Sequence, residues 1–129
     1  MKIVIGIVAV WLAISGIVAL ASAGSAGRSG GVSGSTEIVL EDMRFSPNRI
    51  DAKVGVPLTV TLTNRGTERH DLNFESLHMP GLGGVESILE PGETRTITLS
   101  FNAPGEHVFI CTLPGHAAAG MTGAAFVTP

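Results

Sequence analysis

Tyrosine is absent from this chain of 129 residues, and tryptophan and cysteine occur once each. The single cysteine, Cys111, excludes an intrachain disulfide and leaves three roles for its thiol: core residue, reactive group or metal ligand. Basic residues are also few, because residues 36–129 carry six of them against eleven acidic residues, a net charge of −5. That balance argues against nucleic-acid binding, which needs a basic face.

Charge is missing altogether from residues 3–23, which follow Lys2. An apolar run of this length can span a bilayer as one helix. It also resembles a secretory signal, because residues 19–21 and 21–23 form small-x-small cleavage sites. Residues 1–23 are therefore predicted to be a signal peptide or an N-terminal membrane anchor. Both alternatives predict a domain outside the cytoplasm, in the periplasm or at the outer face of the plasma membrane.

Residues 24–35 are rich in glycine and serine, which is typical of a flexible linker. The remaining residues, 36–129, are enough for one domain with one modest core. We expect this domain to be monomeric, with membrane association only if the N-terminal segment is retained.

Helical periodicity is lacking after residue 35, and short segments of β character take its place. Residues 58–64 alternate strictly between apolar and polar side chains, as a half-buried strand does. Turn residues follow at close intervals, which predicts seven or eight short strands in an all-β, antiparallel Greek-key sandwich. The predicted strands are 36–41, 45–53, 58–64, 70–75, 94–101, 105–110 and 122–127.

A loop between the last two of these segments carries three potential metal ligands. Cys111, His116 and Met121 follow one another in the spacing Cys-x4-His-x4-Met. His70, at the start of a distant predicted strand, is well placed to supply a second imidazole. Two imidazoles, one thiolate and a weak axial thioether are the ligand set of a blue-copper site. Structural zinc prefers four strong ligands, so Met121 favours copper over zinc.

Each of these residues also has a structural alternative. A lone cysteine is commonly a small core residue, a methionine near a strand commonly fills the core, and His70 could be an ordinary strand residue. The common register of Cys111, His116 and Met121 favours the metal site over these alternatives. Of the other two histidines, His78 is predicted at the surface and His107 is predicted to be partly buried and structural.

The spacing Asn64-x5-His70, then Pro104-Gly105, then Cys111-Thr-Leu-Pro-Gly-His116-x4-Met121-x-Gly123, resembles the cupredoxin family of small blue copper proteins. The loop is most similar to those of auracyanin-like and rusticyanin-like domains, with plastocyanin-like and azurin-like domains as further members. The resemblance implies a Greek-key β-sandwich, one type 1 copper per chain and single-electron transfer between protein partners. It also implies that His70, Cys111 and His116 are strong ligands and that Met121 is axial.

One residue departs from the family pattern. Many members have asparagine directly after the first histidine ligand, whereas Asp71 follows His70 here. We expect its carboxylate to accept a hydrogen bond from the hydroxyl or backbone of Thr112. The added negative charge is expected to favour the oxidised copper ion.

The sequence therefore predicts a non-enzymatic electron carrier whose partners are a cytochrome or a membrane electron-transfer complex. The alternatives are a copper storage or delivery protein, a multicopper oxidase or copper nitrite reductase, and a metal-free adhesion domain. Electrons are expected to leave through His116, whose neighbours are small and apolar. Met79 and Leu82 are expected to extend that docking surface.

Overall fold

The computed structural model describes residues 34–129; the segment predicted as signal or anchor and linker residues 24–33 lie outside them. Gly34 and Ser35, predicted as linker, belong to the first strand. No helix within the described part of the chain is long and apolar enough to cross a membrane. The strands are β1 (Gly34–Glu41), β2 (Arg44–Ser46), β3 (Arg49–Lys53), β4 (Leu58–Asn64), β5 (Asn73–Phe74), β6 (Thr94–Leu99), β7 (Gly105–Ile110) and β8 (Thr122–Thr128), with one 3-10 turn at Val85–Ser87.

The strands form two four-stranded sheets, in the orders β2-β1-β4-β6 and β3-β8-β7-β5. The predicted all-β sandwich is therefore confirmed. The prediction that it is antiparallel is wrong, because β1 pairs with β4 in parallel and β3 pairs with β8 in parallel. Parallel neighbours need a crossover connection. The chain supplies one by leaving the first sheet after β2 and forming β3 in the second sheet before it returns as β4.

Two predicted strands are shorter in the structure or divided. Residues 45–53 were expected to form one strand, but the chain crosses between the sheets at Pro47 and Asn48. Proline has no backbone N–H for a ladder, and the Asn48 carbonyl instead accepts a bond from the Ala124 N–H at 2.9 Å. Residues 70–75 were also expected to form one strand. In fact β5 is two residues long, and His70 forms an isolated bridge to Leu89.

The core lies between the sheets and reaches the loop that follows β7. Phe109 is at its centre, with its ring 5.1 Å from that of Phe45 and 5.7 Å from that of Phe74, both edge to face. Gly123 lies opposite Phe109 on β8. A Cβ on Gly123 would approach the Phe109 ring to 2.4 Å, so this position requires glycine. The packing fixes Phe109, two residues before Cys111, near the end of β7.

Candidate metal centre

The loop after β7 turns sharply at Pro114 and Gly115. Gly115 has a φ of 83°, and the His116 N–H donates to the Leu113 carbonyl at 3.1 Å. Proline followed by a glycine of positive φ is the sequence that a type II turn requires. The turn directs the His116 side chain back toward Cys111.

The end of the loop is closed by backbone hydrogen bonds between the predicted ligands. The Met121 N–H donates to the His116 carbonyl at 3.1 Å, and the Cys111 N–H donates to the Met121 carbonyl at 3.1 Å. The Met121 side chain is fully buried. The spacing Cys-x4-His-x4-Met therefore corresponds to one compact, internally bonded loop.

His70 is held by a different part of the chain. Its backbone exchanges two hydrogen bonds with Leu89, at 3.1 and 2.8 Å. The buried amide of Asn64 donates to the carbonyls of Glu68 and Leu89 at 2.8 and 2.9 Å, and accepts from the Gly66 N–H at 2.8 Å. Asn64 thus shapes the turn that leads into His70, which gives a physical role to the Asn64-x5-His70 spacing.

Three donor atoms meet in the interior: Nδ1 of His70, Nδ1 of His116 and Sγ of Cys111. The two nitrogens lie 3.2 Å apart. The Cys111 sulfur lies 4.0 Å from the His70 nitrogen and 3.5 Å from the His116 nitrogen. The point equidistant from the three atoms is about 2 Å from each, a typical length for bonds of a first-row metal ion to imidazole and thiolate. All three residues are buried, so the cluster fits one such ion.

The outer nitrogen of each imidazole contacts a carboxylate that the sequence analysis did not identify. Nε2 of His70 lies 3.0 Å from Oδ1 of Asp42, and Nε2 of His116 lies 3.0 Å from Oε2 of Glu68. Hydrogen bonds from the Thr67 hydroxyl and backbone hold the pKa of Asp42 well below its usual range. No local sequence signal marks either pair, because their members are 28 and 48 positions apart.

Asp71 makes the hydrogen bonds to Thr112 that the sequence predicted. It is buried, its Oδ1 accepts the Thr112 N–H at 2.6 Å, and its Oδ2 accepts the Thr112 hydroxyl. This carboxylate ties the residue after His70 to the residue after Cys111. Burial raises the pKa of the Cys111 thiol in the metal-free protein, because desolvation disfavours the thiolate.

The remaining predicted positions divide into confirmed and corrected ones. His78 is exposed, as predicted. His107 is partly buried and stacks on Phe101 with ring centroids 5.5 Å apart, which confirms its structural role. Met79 and Leu82 were expected at the docking surface, but both are buried in the core. They are the apolar anchors of an otherwise irregular connection, so they are unavailable to a partner.

Comparisons with known proteins agree with this geometry. The copper-resistant cuproprotein CopI of Pseudomonas aeruginosa is 28% identical over 138 residues, covering 74% of this chain and 76% of CopI. Among solved structures, reduced auracyanin of Roseiflexus castenholzii has a TM-score of 0.63 at 26% identity, covering 77% of this chain and all of that one. A multicopper oxidase chain has a TM-score of 0.63 at 23% identity, and this chain spans 42% of it.

The likeness to auracyanin confirms the predicted auracyanin-like relationship, whereas the likeness to the oxidase shows the fold alone. The sequence model of the cupredoxin-like domain matches residues 4–122. Together with the donor cluster, this match confirms one copper ion as the cofactor that the sequence predicted. The chain belongs to the cupredoxin-like family.

Proposed function

We propose that this protein is a type 1 blue copper protein that carries single electrons between redox partners outside the cytoplasm. The observation that carries the proposal is the buried triangle of two imidazole nitrogens and one thiol sulfur, of a size that fits one copper ion. Such a trigonal site with a weak axial sulfur is the blue-copper electron-transfer arrangement.

In this proposal His70, Cys111 and His116 would supply the strong ligands and Met121 the weak thioether ligand. The copper ion supplies the one-electron step between its two charge states. The chain would hold the ligand atoms in place around the ion through its own backbone hydrogen bonds. The Cys111–Met121 and Met121–His116 backbone bonds fix the loop, and the Leu89 bridge fixes His70.

The same residues also limit the access of water to the cluster. The His116 side chain is 9% exposed and that of His70 is fully buried, so bulk water is largely excluded from the cluster. Asp42 and Glu68 lie 3.0 Å from the Nε2 atoms of His70 and His116, on the side of each ring that faces away from the cluster, so both Nδ1 atoms face the ligand position.

Copper storage or delivery is the alternative function, since CopI is named a copper-resistant cuproprotein, a description that does not specify electron transfer. A protein that hands copper to a partner needs donors that the partner's ligands can reach. Here the three donor residues are between 0% and 7% exposed, and the loop that holds two of them is internally bonded. This burial favours retention of the metal, and therefore electron transfer.

A copper enzyme would need a second metal centre or an open substrate position. Within residues 34–129, one cluster of three metal-binding side chains is formed. His78 is exposed, and Nε2 of His107 lies 3.0 Å from the Ala103 carbonyl oxygen, which holds it away from such a role. We therefore propose a carrier rather than an oxidase or nitrite reductase.

The location outside the cytoplasm rests on the apolar run at residues 3–23. Mass spectrometry of the native protein shows whether residues 3–23 are cleaved or retained. A mature N-terminus near Gly24 means secretion, and retention of the run means anchoring. Protein found only in the cytosol with the run intact would contradict the location.

The visible absorption spectrum of the copper-loaded full chain tests the function. We expect an intense thiolate-to-copper band and blue colour that disappear on reduction. Cys111→Ser should bind copper without that band, while His70 and His116 remain in place. A wild-type protein that holds only colourless Cu(I) would instead support storage or delivery.

A further inference from the structure

Asp42 occupies the turn between β1 and β2, far from the loop ligands in sequence but in contact with His70. Its carboxylate accepts the Thr67 N–H at 3.0 Å, the Thr67 hydroxyl at 2.7 Å and the Glu68 N–H at 3.2 Å. The fourth donor is Nε2 of His70 at 3.0 Å. The turn before His70 and the His70 ring are thus both attached to one side chain.

The contact determines which nitrogen of His70 carries the proton. An ionised carboxylate can only accept, so Nε2 is the donor, and in the neutral imidazole Nδ1 then presents its lone pair to the cluster. Without that acceptor, the two neutral tautomers of the imidazole would both be accessible. Outer hydrogen-bond partners of this kind orient ligands and increase their basicity.

Gly66 shows how closely the backbone covers this pair. A Cβ at Gly66 would lie 2.3 Å from Oδ1 of Asp42 and 2.8 Å from Nε2 of His70. The φ of Gly66 is not in the left-handed region, so close approach accounts for the glycine. The backbone at Gly66 therefore packs directly against the Asp42–His70 pair.

The equivalent contact on the other imidazole is built differently. Glu68 reaches Nε2 of His116 from a side chain that is 54% exposed, whereas that of Asp42 is 38% exposed and accepts three further bonds. Solvent therefore competes more strongly for the Glu68 carboxylate. The Asp42–His70 contact is therefore held by further hydrogen bonds, whereas the Glu68–His116 contact is more open to solvent.

We propose that Asp42 is the positioning residue of His70: it fixes the Nε2–H tautomer before the metal arrives, and its charge then favours Cu(II) over Cu(I). The inference about charge rests on the proposed function, whereas the inference about the tautomer concerns the metal-free protein. Two variants separate them. Asp42→Ala removes the acceptor, and Asp42→Asn removes the charge but keeps an acceptor oxygen.

Nitrogen NMR of the metal-free, labelled full chain at mildly alkaline pH measures the tautomer directly. Wild-type His70 should carry its proton on Nε2 alone, Asp42→Asn should keep that state, and Asp42→Ala should give a mixture of tautomers. Asp51→Asn is the matched control, because Asp51 is an exposed carboxylate on β3 that pairs with Arg49. A wild-type His70 proton on Nδ1 would overturn the proposal even if Asp42→Ala failed to fold.

Copper titrations and redox potentials measure the second effect. We expect Asp42→Ala to weaken Cu(II) binding by roughly 10–100-fold, as loss of an outer ligand partner does. Asp42→Asn should lower the ratio of Cu(II) to Cu(I) affinity by about tenfold, which is a rise of about 59 mV in potential. Glu68→Gln should have a smaller effect, and Asp51→Asn none.

A shift for Asp42→Asn no larger than that for Asp51→Asn would overturn the charge effect. If the wild-type protein bound copper without the blue band, the proposed function would fail. The tautomer measurement would remain an independent test, because it is made on the metal-free protein.

Discussion

The backbone N–H of Cys111 donates to the carbonyl oxygen of Met121, 3.1 Å away. This bond joins the first and last residues of the loop. It lets an eleven-residue segment present a thiol and an imidazole to the same point. Met121 is therefore a structural closure of the loop through its backbone, whatever its side chain does for the metal.

The Met121 side chain is expected to tune the copper rather than hold it. Met121→Leu nearly conserves volume, so we expect a loss of less than about 1.5 kcal/mol in the free energy of unfolding of the metal-free protein. Copper should remain bound, and the potential should rise because the axial sulfur is gone. Met121→Gln, with a harder oxygen donor, should lower the potential.

Voltammetry of the two variants checks this prediction. The backbone bonds to Cys111 and His116 remain possible in both, so the loop should be unchanged. Loss of copper in Met121→Leu would show that the thioether is a primary ligand, which contradicts a trigonal site.

Asp71 is expected to lower the potential through its charge. Asp71→Asn keeps an acceptor for the Thr112 N–H, so copper should remain bound. The potential should rise by a few tens of millivolts, since a tenfold change in relative affinity is about 59 mV for one electron. Asp71→Leu should also cost about 1–3 kcal/mol in stability, because the Thr112 N–H loses its partner.

Thr112→Val is the matched control for this pair. It removes the hydroxyl that donates to Asp71 but keeps the backbone bond and the charge. Its potential should stay near the wild-type value. A potential of Asp71→Asn at or below that of the wild type would refute the charge argument.

The Cys111 thiol predicts how the stability of the metal-free protein depends on pH. Burial raises its pKa in the folded state, so the unfolded chain loses the thiol proton at lower pH than the folded one. The free energy of unfolding is unaffected by this thiol below the pKa that it has in the unfolded chain, about 8.5. The free energy of unfolding then decreases as the pH rises from that value through the higher pKa of the folded thiol.

Urea unfolding between neutral pH and about pH 10 measures this loss, because the unfolded thiol titrates within that interval. The chain suits the measurement, since it has no tyrosine and residues 34–129 contain one lysine, Lys53. Cys111→Ser should lack the decline. An equal decline in both proteins would assign it to another group.

Sequence periodicity predicted the elements whose local pattern decides their structure. Leu58–Asn64 was predicted with its observed bounds, because every second side chain is buried against the core. However, the alternation of apolar and polar side chains is the same whether the neighbouring strand runs parallel or antiparallel. It therefore could not reveal that β4 runs parallel to β1.

The site was predictable where its residues share a segment. Cys111, His116 and Met121 lie on one loop, so their spacing reflects its geometry. The carboxylates at the imidazoles were missed because Asp42 contacts His70 across 28 residues and Glu68 contacts His116 across 48. Only the tertiary fold brings these pairs together. Met79 and Leu82 were misassigned because glycine and proline around them suggest an exposed loop.

The surface around His116 is expected to be the route by which electrons leave. Pro114, Gly115, Ala118 and Ala119 are exposed there. Small apolar side chains allow a partner to approach the ring closely, and redox encounters use small interfaces. Ala118→Asp places a charge that must be desolvated on this surface without altering a ligand.

We expect Ala118→Asp to keep the visible spectrum and potential but to slow bimolecular electron transfer by about tenfold, which corresponds to about 1.4 kcal/mol of lost encounter stability. Ala103→Asp is the matched control. Ala103 is exposed and precedes the first residue of β7, whereas Cys111 follows the last residue of the same strand, so the two positions lie at opposite ends of β7. Both variants add one negative charge, so the net charge of the chain changes equally in the two. Stopped-flow mixing with a cytochrome at two ionic strengths measures the rates. If Ala118→Asp and Ala103→Asp slowed transfer equally, the effect would be general electrostatics, and electrons would leave by another surface.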